Sequence, residues 1–375
     1  MSILNGKAIC IFGDYNLDSY RYTTLRRGMK FYGVRVLDCN CYLRFNNFMV
    51  RRKVSRAIWY IIKGYLNLIK KFWPIRNEFD YFFLPGDHLN VPLSWFLSKL
   101  FNKKVILDIY DPLYQFAKMN NYSKWQLRIR YYIEKINLKM ADHLLVYTDE
   151  IRKLVQQDYN IASDKFTVFP VAADTEIFHP KNNHVDKDGS VFKVIFWGGL
   201  QGHHGIEIII KAVKLLKKRE DIHFYFAGVS RPYKSKQELM LKDLVEDEHC
   251  NNVFLTGYLP LEQLIELIQQ ADLCLGIFSD KPCALATVPC KVFEALAIKK
   301  PIITERSPAA EAWFTHKEHL YLVPPENPKE LARAILELKN NRQLREKLAE
   351  KGYAKFNRDF NEIAICKEFN DILYR

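Results

Sequence analysis

At 375 residues, 49% hydrophobic and 26% charged, the chain can bury sizeable cores, which excludes a disordered protein and leaves two domains or one large one. Its net charge of +13 is lopsided: residues 1–180 carry 27 Lys and Arg against 16 Asp and Glu, residues 181–375 carry 29 against 27, and an anionic partner is therefore expected on the first half. Eight cysteines without a CxxC pair or a spaced Cys/His set exclude a zinc module and fit reduced cytosolic thiols, and no zinc-finger, RNP-type or helix-turn-helix pattern supports nucleic acid as a partner.

The opening MSILNGKAICIFGDYN runs from a short apolar stretch into a Gly-Asp turn, without the longer apolar region and cleavage site of a signal peptide, and reads as a first strand. No stretch reaches about 18 uncharged apolar residues, so no spanning helix is expected. The connection GDYNLDSYRYTTLRRG (13–28) lacks the second and third glycines of G-x-G-x-x-G, which argues against a dinucleotide site.

Residues 51–73, RRKVSRAIWYIIKGYLNLIKKFW, place Val54, Ile58, Ile61, Ile62, Tyr65, Leu68, Ile69 and Phe72 on one helical stripe, with Arg52, Arg56, Lys63 and Lys70 away from it. Two readings stand side by side: a crossover helix packed on a sheet with solvated lysines, or an interfacial anchor on anionic lipid through Trp59, Trp73, Lys70 and Lys71.

Short, continuously apolar runs then recur between longer helical patterns: KAICIF (7–12), VRVLDC (34–39), DYFFLP (80–85), KVILDI (104–109), HLLVYT (143–148) and FTVFPV (166–171). Unbroken apolarity predicts strands covered on both faces, as in a parallel sheet. A polar, turn-prone segment, HPKNNHVDKDGS (179–190), interrupts the series. The rhythm restarts with VFKVIFWG (191–198), IHFYFAG (222–228), NVFLTG (252–257), LCLGIF (273–278), KPIITE (300–305) and LYLVP (320–324).

The pattern predicts an α/β protein of two doubly wound, Rossmann-like domains facing a cleft. The expected division is residues 1–180 as the first domain, 181–190 as linker, 191–350 as the second domain and 351–375 as a helical tail bracing the two. Functional residues should follow the carboxyl ends of the strands. His88, Asp108, Tyr110 and Asp111 meet that condition after the third and fourth strands, Asp108 being as well suited to fixing its loop.

The most informative stretch is LCLGIFSDKPCALATVPCKVFEALAIKKPIIT (273–304): strand, long loop, a helix opening near Pro289, then another strand. A helix N-terminus suits a diphosphate. Lys291 adds charge in the first turn, and Glu294 one turn later can accept a ribose diol; the alternative is that both are solvated charges on a helix surface.

FWGGLQGHHGIEIIIKAVKLL, FAGVS, NVFLTGYLPLEQLIELIQQADLCLGIF, VPCKVFEALAIKKPIITERSPA and LYLVPPENPKELARAI, in this order and spacing, resemble retaining GT-B glycosyltransferases of glycosyltransferase family 4, in a bacterial branch acting on cell-surface glycans. The resemblance implies the GT-B fold and a metal-independent hexosyltransferase that needs no cofactor. Its donor would be a UDP- or GDP-sugar and its acceptor a glycan or lipid-linked hydroxyl.

The same resemblance makes Glu294 the second glutamate of the family's Glu-x7-Glu motif, while Ala286 stands in the first position, leaving sugar recognition to Thr287, Val288 and Pro289. After the first strand of the second domain, in GGLQGHHG, His203 and His204 stand where many relatives place Arg and Lys, with Gly199 a donor contact in the same loop, so diphosphate binding would lean on Lys291, Arg231 or Lys281. Gly257 and Tyr258 would cover the base, and Gly13, Tyr15 and Arg21 would face the acceptor. Catalysis would fall to Asp111, Tyr110 and His88, Tyr110 standing where many relatives have histidine.

The expected location is the cytoplasm, at the inner face of the membrane if the basic helix binds anionic lipid. Two alternatives remain open on the sequence: a GT-B-fold nucleotide-sugar epimerase, and a catalytically silent scaffold subunit.

Overall fold

The computed structural model describes residues 6–17, 20–41, 54–86, 88–110, 112–181, 191–200, 204–229, 235–246 and 250–374. The chain divides into two compact units: unit 1 is Met1–Val171 with Glu362–Arg375, and unit 2 is Ala172–Asn361. The expected linker, apart from Lys181, lies outside the described residues.

Unit 1 runs β1 (Ala8–Gly13), α1 (Tyr20–Phe31), β2 (Arg35–Asn40), α2 (Val54–Ile75), β3 (Tyr81–Pro85), α3 (Val91–Phe101), β4 (Lys104–Ile109), α4 (Leu113–Met119), α5 (Lys124–Met140), β5 (His143–Val146), α6 (Asp149–Tyr159) and β6 (Phe166–Val168). Its six strands are parallel in the order β2-β1-β3-β4-β5-β6. The central strands β1 and β3 are buried at every position, as their unbroken apolar sequences require, whereas the edge strand β2 is exposed at its first residue.

Unit 2 runs β7 (Phe192–Trp197), α7 (Ile206–Leu215), β8 (Ile222–Ala227), α8 (Lys236–Glu246), β9 (Val253–Gly257), α9 (Leu261–Gln270), β10 (Leu273–Leu275), α10 (Pro282–Leu285), α11 (Cys290–Ala297), β11 (Ile302–Glu305), α12 (Pro308–Trp313), β12 (Tyr321–Val323), α13 (Pro328–Asn340) and α14 (Arg342–Asp359). Its strands are also all parallel, ordered β12-β11-β10-β7-β8-β9. The core joins Phe192, Phe196, Phe224 and Phe226 of the sheet to Ile209 and Val213 of α7 and Leu331 and Ile335 of α13.

Helix starts are specified locally: the Ser307, Asn327 and Asn341 side chains accept from the N–H groups of Ala310, Glu330 and Leu344. After α14 the chain re-enters unit 1 as α15 (Glu362–Leu373), which lies along α1. A Cβ at Gly28 would stand 2.3 Å from both Cys366 Sγ and the Glu362 carbonyl, so this close crossing needs a glycine. Phe369 of α15 touches the rings of Phe83 and Phe169, and the Tyr81 hydroxyl donates to the Leu373 carbonyl at 2.7 Å.

Candidate functional site

In unit 2 the strand order reverses direction between β7 and β10, which pair through Leu273 with Val194 and Cys274 with Ile195. In doubly wound sheets the crevice for a ligand opens at the carboxyl ends of the two strands flanking that reversal. The loops concerned follow Trp197 and Leu275. They meet backbone to backbone: the Phe278 N–H donates to the His204 carbonyl at 3.1 Å. Gly205 sits at φ 66° where a Cβ would come within 2.6–2.9 Å of the Phe278 and Ser279 main chain, so both its handedness and its closeness require glycine. Gly205 then opens α7. His204 Nδ1 donates to the Gly199 carbonyl at 2.5 Å, which folds the imidazole back onto its own loop.

Helix α11 enters the same place. Lys291, in its first turn, is 6% exposed. Its ammonium lies 3.7 Å over the centre of the Phe196 ring, and Nζ has no hydrogen-bond partner among the described residues. Burial pulls its pKa down to about 7, with Glu294 and Cys290 acting in the opposite direction. Glu294, one turn on and partly buried, accepts a 2.7 Å hydrogen bond from Trp197 Nε1 at the end of β7. Burial raises its pKa, against the Trp197 hydrogen bond and the Lys291 charge.

The remaining donor candidates lie on either side. Thr287 ties its hydroxyl to the Cys283 and Ala284 carbonyls at 3.1 and 3.2 Å, Val288 is fully buried, and Pro289 caps α11. Gly257 ends β9 and accepts from the Gly228 N–H at 2.8 Å, and Tyr258 beyond it is 76% exposed. Gly199 is exposed after β7. Arg231 and His203 lie outside the described residues.

Two participants escape sequence reasoning. Trp197 reads as the last apolar residue of a strand, yet its indole N–H orients Glu294. Glu305, the last residue of β11, is 1% exposed, and neither carboxylate oxygen has a hydrogen-bond partner of normal geometry among the described residues. Burial drives its pKa up to about 8, the Ser279 amide working against the shift and Glu326 and Asp280 adding to it. In the sequence it is an ordinary acidic residue after KPIIT, with no signal of its burial.

The candidates of unit 1 are tightly held. Gly13 ends β1, and the Tyr15 hydroxyl donates to Asp38 Oδ1 at 2.6 Å, burial and that carboxylate raising its pKa. Arg21 Nε and one terminal nitrogen reach the two oxygens of Asp108, each at 2.6 Å, with both residues buried. The guanidinium also lies over the Tyr110 and Phe169 rings, 5.5 and 4.9 Å from their centres. Burial opposes its charge, but Asp108 outweighs burial and holds the pKa above the usual arginine value. His88 is buried, its carbonyl accepts from Asn137 Nδ2 at 2.7 Å, its Nε2 has no partner among the described residues, and burial lowers its pKa to about 4. Tyr110 is 37% exposed beside Tyr147, and Asp111 lies outside the described residues.

Two parallel six-stranded Rossmann-like units in one chain define the GT-B fold. Residues 175–355, nearly all of unit 2, match the family described as Glycosyl transferases group 1. The chain is 23% identical over 359 residues to an uncharacterized glycosyltransferase of Methanocaldococcus jannaschii, covering 89% of this chain and 86% of that one. Among solved structures it resembles sucrose-phosphate synthase from Thermosynechococcus elongatus (TM-score 0.73, 14% identity, 98% of each chain). It also resembles a glycosyltransferase from Rickettsia africae (0.71, 15%, 98% of each). A third likeness is to Anabaena HepE in complex with UDP-glucose (0.67, 15%, 98% of this chain and 99% of that one). The protein is thus a glycosyltransferase-like protein of the GT-B fold.

Among the described residues, no helix is long and apolar enough to cross a membrane, and no group of three or more His, Cys, Asp or Glu is placed to hold a metal ion.

Proposed function

We propose that the protein transfers a hexosyl group, with retention at the anomeric carbon, from a nucleoside-diphosphate sugar to a hydroxyl of a glycan or lipid-linked acceptor in cell-surface polysaccharide synthesis, as a member of glycosyltransferase family 4. The observation that carries the reading is Lys291: a buried ammonium without a hydrogen-bond partner among the described residues, near the Glu294 carboxylate, at the strand-order reversal of unit 2. An unpaired buried cation is costly, and an anionic ligand removes the cost.

In this reading the diphosphate lies across the N-termini of α7 and α11, where unpaired backbone N–H groups and Lys291 take its charge. Glu294, held by Trp197, accepts the ribose hydroxyls. As the glycosidic bond to the leaving phosphate breaks, negative charge grows on the diphosphate, and those same groups stabilise it. The leaving phosphate then accepts the proton of the acceptor hydroxyl attacking on the same face, which gives retention. With Ala286 where a sugar-binding glutamate would stand, the main chain of 287–289 contacts the sugar. His204, Gly199, Arg231, Gly257 and Tyr258 complete the donor side; Gly13, Tyr15 and Arg21 remain the acceptor candidates and Asp111, Tyr110 and His88 the catalytic ones.

HepE has been crystallised with UDP and with UDP-glucose, which makes a uridine nucleotide the first donor to try here. Calorimetric titration with UDP, GDP and ADP tests the site directly. The expected result is nucleotide-dependent heat, with affinity weakened in Glu294→Ala and Lys291→Ala; a chain giving heat with none of the three is a silent scaffold. Incubation with the donor that binds should give sugar transfer to acceptor with the anomeric configuration kept and with EDTA present, whereas conversion of the donor to an epimer without acceptor would mark an epimerase.

A further inference from the structure

One helix layer of unit 1 exposes apolar side chains where such a layer ordinarily carries polar ones. Helices α2, α3 and α5 connect successive strands in the order β2, β3, β4, β5, each stepping the same way across the sheet, so right-handed crossovers place all three on one side of it. They are neighbours: Phe101 of α3 meets Phe72 and Trp73 of α2 at ring distances of 5.2 and 6.1 Å, and α3 packs on α5.

Each helix has two apolar faces. In α2, Leu68 and Phe72 are fully buried against the sheet, while Trp59, Ile62, Leu66 and Trp73, at i, i+3, i+7 and i+14, form a separate exposed stripe. In α5, Glu134, Asn137 and Leu138 are buried, while Trp125, Ile129, Tyr132, Ile133 and Ile136, at i, i+4, i+7, i+8 and i+11, face solvent. Phe96 and Leu100 of α3, one turn apart, are exposed in the helix between them. An apolar surface spread over three adjacent helices marks an interaction site.

The charges identify the occupant. The three helices carry ten Lys and Arg and one acidic residue, Glu134. That carboxylate is buried and accepts from the Leu113 and Tyr114 N–H groups and the Tyr159 hydroxyl. A second copy of the chain would bring like charge against like charge. The cations lie along aromatic rings: Lys63 is 5.1 Å from the centre of Trp59, Arg76 4.9 Å from Trp73 and Lys135 5.5 Å from Tyr131. Tryptophan, tyrosine and aliphatic side chains flanked by lysine and arginine, on helices too short or too charged to span, is the composition that settles at the headgroup level of a bilayer.

We infer that α2, α3 and α5 together form a docking surface for an anionic lipid bilayer, with the helices lying in the plane of the interface. The sequence pointed only to residues 51–73; the structure adds α3 and a second full stripe on α5. The inference is independent of the donor site, since vesicle binding needs no nucleotide.

The test is co-sedimentation of the full chain, without nucleotide, with phosphatidylcholine vesicles and with phosphatidylcholine–phosphatidylglycerol vesicles. The parent should pellet with the mixed vesicles only, and less as salt rises. Trp125→Glu with Ile129→Glu, on α5 alone, should weaken vesicle affinity by about tenfold or more, as should Leu66→Glu on α2. All three side chains are exposed, so melting temperature and UDP binding should stay at the parent's values and separate lost docking from lost fold. The inference is overturned if the parent fails to pellet at low salt, if neutral vesicles bind equally, or if the α5 pair pellets like the parent. It is equally overturned if sedimentation velocity shows a dimer that these substitutions dissolve.

Discussion

Arg21 in unit 1 and Lys291 in unit 2 are both basic side chains less than a tenth exposed, each in the first turn of a helix, α1 and α11. Arg21 is answered inside the protein by both oxygens of Asp108. Lys291 has the face of Phe196 and no hydrogen-bond partner among the described residues. The first cation has its counter-charge within the fold; in the proposed function the second is kept available for the diphosphate of the donor. Burial alone does not distinguish a structural charge from a ligand-binding one, whereas the partner does.

The comparison can be broken most sharply at Asp108. Asp108→Ala leaves Arg21 buried without its counter-ion, and chemical denaturation should show a loss of about 3–5 kcal/mol. Arg21→Met combined with Asp108→Leu should recover much of it; a double variant as unstable as the single one would mean that the pair does more than neutralise itself.

Lys291→Met should do the reverse. It replaces an unpaired cation with an apolar side chain of similar length, so the melting temperature should hold or rise, while nucleotide affinity falls by about 1.5–3 kcal/mol. Calorimetry and thermal unfolding on one sample check both signs, and a destabilised variant with full affinity would place Lys291 among the structural charges.

Lys291 also predicts a pH dependence. Its folded-state pKa of about 7 lies below the ordinary lysine value of 10.5. Between these the unfolded chain binds a proton that the free folded chain does not, so this group makes stability rise with pH across that window. A diphosphate favours the charged form. Affinity should therefore fall from pH 7 to 9, with proton uptake on binding that Lys291→Met abolishes; titrations in buffers of different ionisation enthalpy read it directly.

The smallest effect concerns Glu305, the acidic counterpart of Lys291. Its folded-state pKa of about 8 is above the ordinary 4.5, so the folded chain holds a proton that the unfolded chain has lost, and its contribution to stability falls as pH rises through that window. Glu305→Gln removes the titration, and its melting temperature should exceed the parent's at pH 9 while matching it near pH 5.

The fold was largely legible because its strands are buried on both sides: all twelve apolar runs became strands, within a few residues at each end. The reach of Lys291 and Glu294 toward one place was legible from their spacing in a helix that follows a strand. Long-range partners were not. Nothing near Arg21 names Asp108, 87 residues on, and nothing near Glu294 names Trp197, 97 residues back. The second stripe of α5 went unread because KWQLRIRYYIEKINLKM mixes charge and aromatics at every turn, and which face is covered depends on the sheet beneath it.

The return of α15 to unit 1 has a consequence for the order of synthesis. The groove along Gly28 is completed by Cys366 only after all 190 residues of Ala172–Asn361 have been made. At about 5–20 residues per second that is roughly ten to forty seconds in which a nascent chain exposes the apolar bed of α15. Of the two units, the one that starts leaving the ribosome first is the one completed second.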